Sequence, residues 1–413
     1  MQDPYVPPVD APEPVGTFAA LGMRNFRVLW SGTWASYIPF FMSNIVNGVV
    51  AFQIAHVNRA FGTVVFAQGL AMAGLAPLGG AGADRWPKRR VLALSQGGAA
   101  CVFAAFAVLL AFDSLTILGL AVGTFVLGVS VSFLGPARQA LAAELVEPEL
   151  RGNAVTLNQI PLTGSQLLGP AIAGAMLRSR FGAVGAYALM SALYALSALT
   201  LVWLPKSLRR ANARDTHVLA DLLQGLRYVG SHRRLRLLVG FFVAVIMTGF
   251  SYITMLPGLV EHAFERSAQL YVPPLSFASA AGGLLVTFVT ARIAGGPRVI
   301  PMFLIMPFVF ASGLLSLGLA PSYGLAVSAM FLVGVGFGGF QTLNAAVIVQ
   351  NTDPAYFGRV FSLSMLAFAG VSLVGLPVGF LADAIGERVT MTLLAAMVLA
   401  LAVGVGALLR RSS

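Results

Sequence analysis

Amide and hydroxyl side chains lie within otherwise apolar stretches of this sequence, where they could hydrogen-bond a small ligand. Asn44 and Asn47 are three residues apart, which places both on one face of a helix. If such stretches span a membrane, their polar side chains normally face the bundle interior or a water-filled cavity. We expect this set to line a substrate pathway: Asn44, Asn47, Gln68, Asn158, Gln166, Tyr252, Gln341 and Asn344. For any single member, an interhelical hydrogen bond worth about 0.6 kcal/mol is the simpler interpretation.

The acidic residues are few, and none of the 15 falls in the middle of an apolar stretch. Proton-coupled carriers often use a carboxylate within the membrane. Asp113 and Glu261, at the outer ends of predicted helices, are the weak candidates for carrying a coupling proton. The alternatives are that coupling is absent or uses another ion.

Other patterns that could hold a cofactor or a metal do not have the required context. Gly334-Val335-Gly336-Phe337-Gly338-Gly339 satisfies G-x-G-x-x-G, but it lies inside an apolar stretch with no preceding strand, so close helix packing explains it better than a dinucleotide site. The four histidines have no ligand spacing, and the single Cys101 excludes an intramolecular disulfide. We therefore predict no metal, no cofactor and no enzymatic activity.

The composition predicts an integral membrane protein. Hydrophobic residues make up 58% of the 413 residues and charged residues only 10%, whereas soluble domains carry about 25% charged residues. A bilayer-spanning helix needs about 20 largely apolar residues. Twelve stretches satisfy this, at 28–50, 61–83, 91–112, 115–137, 152–177, 184–205, 235–257, 269–291, 299–319, 322–347, 360–382 and 389–409. The expected fold is all-α, with twelve transmembrane helices.

The distribution of basic residues predicts the orientation of these helices. With the N-terminus inside, 21 of the 26 Lys and Arg residues fall on the cytoplasmic side, with Arg138 and Arg151 counted in the loop after the fourth stretch. Cytoplasmic loops carry such an excess. We therefore expect a multi-pass protein of the bacterial inner membrane with both termini cytoplasmic. The excess of Lys and Arg in the cytoplasmic loops also explains the net charge of +11, so no nucleic-acid partner is needed to account for it.

The middle of the chain is the largest polar interruption, and it separates two related halves. Pro148 and Gly152 recur 206 residues later as Pro354 and Gly358, and transporters are often built from such repeats. We predict a disordered cytoplasmic tail at 1–23, six-helix bundles related by pseudo-two-fold symmetry at 24–205 and 235–413, and a linker at 206–234. An amphipathic helix within the linker would lie at the inner headgroup layer.

A charged motif follows the second stretch, and it reads Gly80-Ala81-Gly82-Ala83-Asp84-Arg85-Trp86-Pro87-Lys88-Arg89-Arg90. It resembles the loop between helices 2 and 3 of the major facilitator superfamily, although Pro87 stands where the family often has Gly. The resemblance implies that Gly80 permits close packing and that Asp84 and Arg85 make contacts that form in one state and break in the other. In the alternative, the basic residues, Arg90 among them, only set the topology.

A second charged stretch, from Gly135 to Pro148, is similar to the end of helix 4 in the branch that holds siderophore exporters and some macrolide efflux pumps. We expect Arg138, Glu144 and Asp84 to form an ion-pair cluster on the cytoplasmic face that locks one conformation. The alternative is a solvated loop with unpaired charges. Family exporters often carry an Arg deeper in helix 4, but residues 124–133 hold no charge.

The fifth stretch is similar to the Gly-Pro motif of antiporter branches of the superfamily. Its proline removes a backbone hydrogen bond and its glycines permit close contact, which would make a hinge or simply a tight helix contact. The residues are Gly164, Gly169, Pro170 and Gly174.

Together these features predict a monomeric secondary transporter in the lipid bilayer, an exporter and antiporter of small amphipathic molecules such as drugs or siderophores, with a proton as the possible coupling ion. One alternative is an uptake permease for a metabolite or lipid. The other is a non-transporting membrane sensor or scaffold.

Overall fold

The computed structural model describes residues 18–85, 87–205, 218–291, 298–353 and 356–410, together with Gly16, Ile293 and Gly296. The predicted N-terminal tail, up to residue 15, and the predicted linker between 206 and 217 lie outside the described residues. Some helical residues are described without their side chains, at 75–85, 136, 140, 143, 218–222, 291, 365, 366 and 410.

Twelve long helical segments run through the described residues. They are α1 Arg24–Ala55, α2 Asn58–Arg85, α3 Lys88–Ala111, α4 Ile117–Glu144, α5 Pro148–Arg178, α6 Gly182–Trp203, α7 Arg233–Ala263, α8 Ala268–Ala291, α9 Val299–Leu319, α10 Tyr323–Asn351, α11 Phe357–Ile385 and α12 Glu387–Arg410. All except α2, whose side chains are described only to residue 74, meet the length and apolarity that crossing a membrane requires. A further helix, Val218–Ser231, is the linker helix. The predicted all-α membrane fold is confirmed.

Capping side chains define the starts of helices that follow very short turns. Thr116 accepts a hydrogen bond from the backbone N–H of Gly119 at 3.1 Å and so caps α4. Ser322 occupies the same position before α10 and accepts from Leu325 at 3.5 Å. Such caps satisfy N–H groups that have no partner within the helix. The α11–α12 turn is equally short, and Gly386 adopts a positive φ of 87° there.

The helices pack as two six-helix bundles, α1–α6 and α7–α12. In the first bundle α2 packs on α4 and α3 on α6; in the second, α8 packs on α10 and α9 on α12. The bundles meet along α2 with α11 and along α5 with α8. Each pairing has a counterpart six helices away, as the predicted pseudo-two-fold relation requires.

Small residues allow the closest helix contacts. A methyl group at Gly62 would lie 3.0 Å from the carbonyl oxygen of Gly375 between α2 and α11, and one at Gly174 would lie 2.9 Å from Pro273 between α5 and α8. The closest approach is between α8 and α10, where a methyl group at Gly334 would overlap the backbone of Ser279. Close packing is therefore the role of the glycine-rich segment 334–339.

The bundles have two chemically different ends. The basic end is where α2 meets α3, and it carries Lys88, Arg89 and Arg90. The far end is the opposite one, where α1 meets α2 at Asn58.

Candidate functional site

At the basic end, charged side chains tie α3 to the other helices of the first bundle. Lys88, at the start of α3, forms an ion pair with Glu144 at the end of α4. Arg89 donates hydrogen bonds to the carbonyl oxygens of Leu204 at 2.7 Å and Val202 at 3.1 Å. Arg90 is exposed. Asp84 and Arg85 lie in the last turn of α2, but their side chains, and the surroundings of Gly80, are outside the described part.

Arg138 is not placed as the sequence predicted. The helix α4 continues to Glu144, so Arg138 lies within it rather than in a loop, and its side chain is 1% exposed. It donates hydrogen bonds to Thr33 Oγ1 at 2.6 Å and to Ser197 Oγ at 3.2 Å. The expected contact of Arg138 with Glu144 is wrong, because Glu144 pairs with Lys88. A gating role for Arg138 stays a prediction.

Two small cavities hold three of the eight predicted pathway residues. The first, here the N-bundle cavity, lies inside the first bundle and is lined by Asn47 and Gln68 together with Phe40, Ser43, Ser95, Ala99, Phe103, Leu127, Ser130, Val131, Leu134 and Tyr194. The second lies between the bundles and is lined by Asn44, Phe61, Pro257 and Ser276 among others. The two asparagines of α1 therefore line different cavities, although we expected them to lie on one face of the helix.

The remaining pathway residues are scattered over several contacts. Asn158 is buried and accepts a hydrogen bond from Thr33 Oγ1 at 3.3 Å. Asn344 is 3% exposed, and its Oδ1 has no hydrogen-bond partner. Tyr252 is 3% exposed. Gln166 and Gln341 are half-buried. A shared pathway for all eight residues stays a prediction.

Departures from regular helix geometry concentrate in α7. Phe250–Met255 forms a 3₁₀ segment that contains Tyr252, and Leu259–Ala263 forms a π segment near the far end. Such segments within a long helix often mark hinges or functional sites. In α5, the predicted hinge residues face different partners: Gly169 contacts Phe41 of α1, whereas Gly174 contacts Pro273 of α8.

At the far end, a carboxylate of the second bundle caps a helix of the first. Asp383 accepts hydrogen bonds from the backbone N–H of Asn58 at 2.7 Å and of Arg59 at 3.1 Å, which are the first two residues of α2. It also accepts from the Asn58 amide at 3.1 Å and lies 3.9 Å from the Arg59 guanidinium. The N-terminus of a helix carries partial positive charge and favours such an anion.

A second carboxylate extends this contact into the protein. Glu387, at the start of α12, is 7% exposed and accepts a hydrogen bond from Asn58 Nδ2 at 2.8 Å. Its Oε1 also lies 2.7 Å from Nδ1 of His262 in α7. We call Asn58, Arg59, His262, Asp383 and Glu387 the far-end cluster.

The sequence did not predict the far-end cluster, because the predicted stretches end at 382 and resume at 389, which leaves both carboxylates in a loop. The structure extends α11 to Ile385 and begins α12 at Glu387, so both side chains belong to helices that face the other bundle. Their partner Asn58, at the start of α2, is more than 300 residues away in the chain. The signal available in the sequence was an Asp and a Glu on either side of a very short turn between two predicted helices.

Further hydrogen bonds at the far end join α8 to the first bundle. Gln269 receives a hydrogen bond from Gln53 at 3.0 Å and donates one to the carbonyl oxygen of Leu177 at 2.7 Å. Arg178 donates to the carbonyl oxygen of Leu270 at 3.1 Å. Both inter-bundle seams are thus held together by polar contacts at this end.

Comparison with known protein families gives one match over most of the chain. The model of the Major Facilitator Superfamily matches residues 29–376. The chain is 23% identical to the staphyloferrin A transporter of Staphylococcus aureus, over 74% of this chain and 77% of that protein. It is 21% identical to macrolide efflux protein A of Streptococcus pyogenes, over 87% and 89% of the two chains.

Solved structures with the same fold are also transporters. The nucleoside transporter NupG superposes with a TM-score of 0.73 at 14% identity, over 93% of this chain and 99% of that one. A bacterial homologue of the human lysosomal transporter Spinster, in an inward-facing and unoccupied conformation, gives 0.73 at 14% identity, over 92% and 95%. At this identity the likeness concerns the fold alone.

Proposed function

Because the chain belongs to the major facilitator superfamily, we propose that this transporter exports a small amphipathic molecule by alternating access between its two bundles. Export is supported by the relative named as a macrolide efflux protein, which aligns over 87% of this chain. The substrate class is supported by that relative and by the one named for staphyloferrin A. The basic end would face the cytoplasm and the far end the outside, in line with the excess of Lys and Arg.

The observation that carries this mechanism is the far-end cluster, since its hydrogen bonds cross from one bundle to the other. Asp383 and Glu387 hold the first residues of α2 by charge-assisted hydrogen bonds. Opening the far end would separate α2 from α11, so these bonds must break in every transport cycle. The far-end cluster is therefore the outer gate, and it is closed in this conformation.

The basic end would supply the opposing gate. The pair of Lys88 with Glu144 ties α3 to α4. Asp84 and Arg85 lie in the last turn of α2, a few residues before Lys88 in the chain. Closing the basic end would add contacts from these two residues to the second bundle. Their gating role remains our proposal.

Asp84→Asn tests the inner gate. We expect transport in proteoliposomes to fall at least about tenfold while the amount of folded protein stays the same, because the amide cannot form the ion pairs of the carboxylate. Glu147→Gln, which neutralises an exposed carboxylate at the same end, is the matched control and should transport normally. Wild-type turnover of Asp84→Asn would remove the basis for the inner gate.

The proposed function is tested by expressing the chain in a drug-sensitive host whose own efflux pumps are deleted. An exporter raises the minimum inhibitory concentration of a subset of macrolides, dyes or siderophore analogues, and Asp84→Asn does not. An uptake permease would instead increase sensitivity to toxic analogues, and that result would replace export with import. Unchanged susceptibility to the whole panel would count against drug and siderophore export.

A further inference from the structure

The linker helix, Val218–Ser231, is docked on the second bundle. The ring of Tyr228 stacks on the ring of Tyr356, just before α11, with the ring centroids 4.1 Å apart and the planes 11° apart. Gly225 packs closely on α11, since a methyl group at Gly225 would lie 3.1 Å from the Cβ of Arg359. The linker helix is therefore part of the second bundle, and these contacts decide which of its faces points away from α11.

The face that points away from α11 carries apolar and cationic side chains together. Leu223 is 47% exposed and Leu226 is 50% exposed, and Arg227 is exposed beside them. These residues are spaced at i, i+3 and i+4, so they share one side of the helix. Val229, on the opposite side, is buried in an apolar cluster with Val360 of α11. Exposed leucines beside a long cationic side chain are typical of a helix that lies at the headgroup layer of a membrane.

Three more exposed arginines follow where the linker helix joins α7. They lie in the first turn of α7, and they are Arg233, Arg234 and Arg236. The next 24 residues, 237–260, hold no charged side chain and begin the span through the hydrocarbon layer. Because a helix rises about 1.5 Å per residue, the three arginines lie at the level of the lipid phosphates. Only His232 separates the two helices, so the end of the linker helix lies at this level too.

Among the side chains that the structure describes, none of these four arginines has a carboxylate partner. The three ion pairs of the described part involve other residues, and the sequence has no Asp or Glu between Asp221 and Glu261. Lys88, at the same end, is by contrast paired with Glu144. Membrane topology accounts for positive charge at this end, but it does not require exposed leucines beside the charges. The combination is complementary to phosphate groups that lie above acyl chains.

We propose that the linker helix and the first turn of α7 form a binding surface for anionic phospholipids. The linker surface consists of Leu223, Leu226, Arg227, Arg233, Arg234 and Arg236. Its guanidinium groups donate charge-assisted hydrogen bonds to the lipid phosphates, and its leucines contact the upper part of the acyl chains. Anionic lipids are preferred over zwitterionic ones because an ammonium group in the zwitterionic headgroup offsets the phosphate charge. Lipid binding here requires neither a particular substrate nor a direction of transport.

A fluorophore next to the linker surface measures which lipid collects there. Gly230 is exposed, and a methyl group at this position would meet no atom within 4 Å, so Gly230→Cys can carry a bimane label once Cys101 is replaced by Ser. The full-length protein is reconstituted in phosphatidylcholine vesicles that contain a small, equal fraction of spin-labelled phosphatidylglycerol or spin-labelled phosphatidylcholine. We expect the anionic quencher to be at least about threefold more effective than the zwitterionic one.

Two sets of substitutions separate the linker surface from the general positive charge of the basic end. The test variant neutralises three arginines of the linker surface, by Arg227→Gln, Arg233→Gln and Arg234→Gln. It should quench about equally with both lipids, because most of the attraction to anionic headgroups is removed. The matched control removes the same charge from exposed residues at the basic end of the first bundle, by Arg24→Gln, Arg27→Gln and Arg151→Gln. The control should keep the preference.

Equal quenching by the two lipids with all arginines intact would overturn the proposal, as would an undiminished preference in the test variant. Salt gives a second measurement that needs no arginine variant. Raising the salt concentration from about 0.1 M to about 1 M shortens the Debye length from about 10 Å to about 3 Å, so the preference should fall toward equality. A preference that salt does not change would also overturn the proposal. Because transport is not measured, a failed resistance screen would count against export and leave the lipid preference intact.

Discussion

Asp383→Ala will open the far end of the transporter. The substitution removes the acceptor of three hydrogen bonds, from the backbone N–H groups of Asn58 and Arg59 and from the Asn58 side chain. Hydrogen bonds to a charged group contribute about 1.5–3 kcal/mol each. Loss of even one bond of this strength lowers the ratio of molecules with a closed far end to molecules with an open far end by at least about tenfold.

Cysteine accessibility measures this shift directly. Ser276 lines the cavity between the bundles, so a cysteine at this position reports whether the far end admits solvent. Replacing Cys101, the one native cysteine, gives a background free of other thiols. A membrane-impermeant maleimide added outside intact cells should label the Ser276→Cys reporter slowly in the wild type and at least about tenfold faster with Asp383→Ala.

The matched control is Asp113→Asn, which neutralises an exposed carboxylate at the same end. Asparagine is chosen because Asp113 has a positive φ of 51°, a conformation that Asn tolerates better than Ala. This variant should label like the wild type. Labelling of Asp383→Ala at the wild-type rate would mean that the far-end cluster does not hold the gate closed.

Gly334→Ala will destabilise the second bundle. The added methyl group would overlap the carbonyl oxygen of Ser279, a backbone atom that cannot rotate away, and Gly338 already lies against Gly283 one turn further on. The helices α8 and α10 would have to separate. Overpacking of this kind costs about 1–3 kcal/mol or more, so we expect a melting temperature in detergent that is lower by several degrees.

Gly404→Ala in α12 is the control, because a methyl group there meets no atom within 4 Å. Removing a helical glycine without steric conflict should stabilise the helix by up to about 1 kcal/mol. The two substitutions should therefore shift the melting temperature in opposite directions. A melting temperature of Gly334→Ala at or above that of the wild type would contradict the close contact.

The sequence by itself determined the architecture of this protein. A spanning helix must satisfy its backbone hydrogen bonds internally and present about 20 apolar residues to lipid. These requirements are local, so they can be recognised within one segment of the chain, and the twelve predicted stretches each correspond to one of α1–α12. The segment 334–339 was also predictable, since glycines inside an apolar helix have few roles other than close packing.

Only the tertiary structure decided what the charged residues near the helix ends contact. Arg138 falls just beyond an apolar stretch, as loop residues do. Because α4 extends to Glu144, however, Arg138 is a helix residue and its side chain lies inside the first bundle. Asp383 and Glu387 looked equally like loop residues, yet they face partners more than 300 residues away. Local periodicity reports which face of one helix is polar. It carries no information about which helix of the other bundle lies opposite that face.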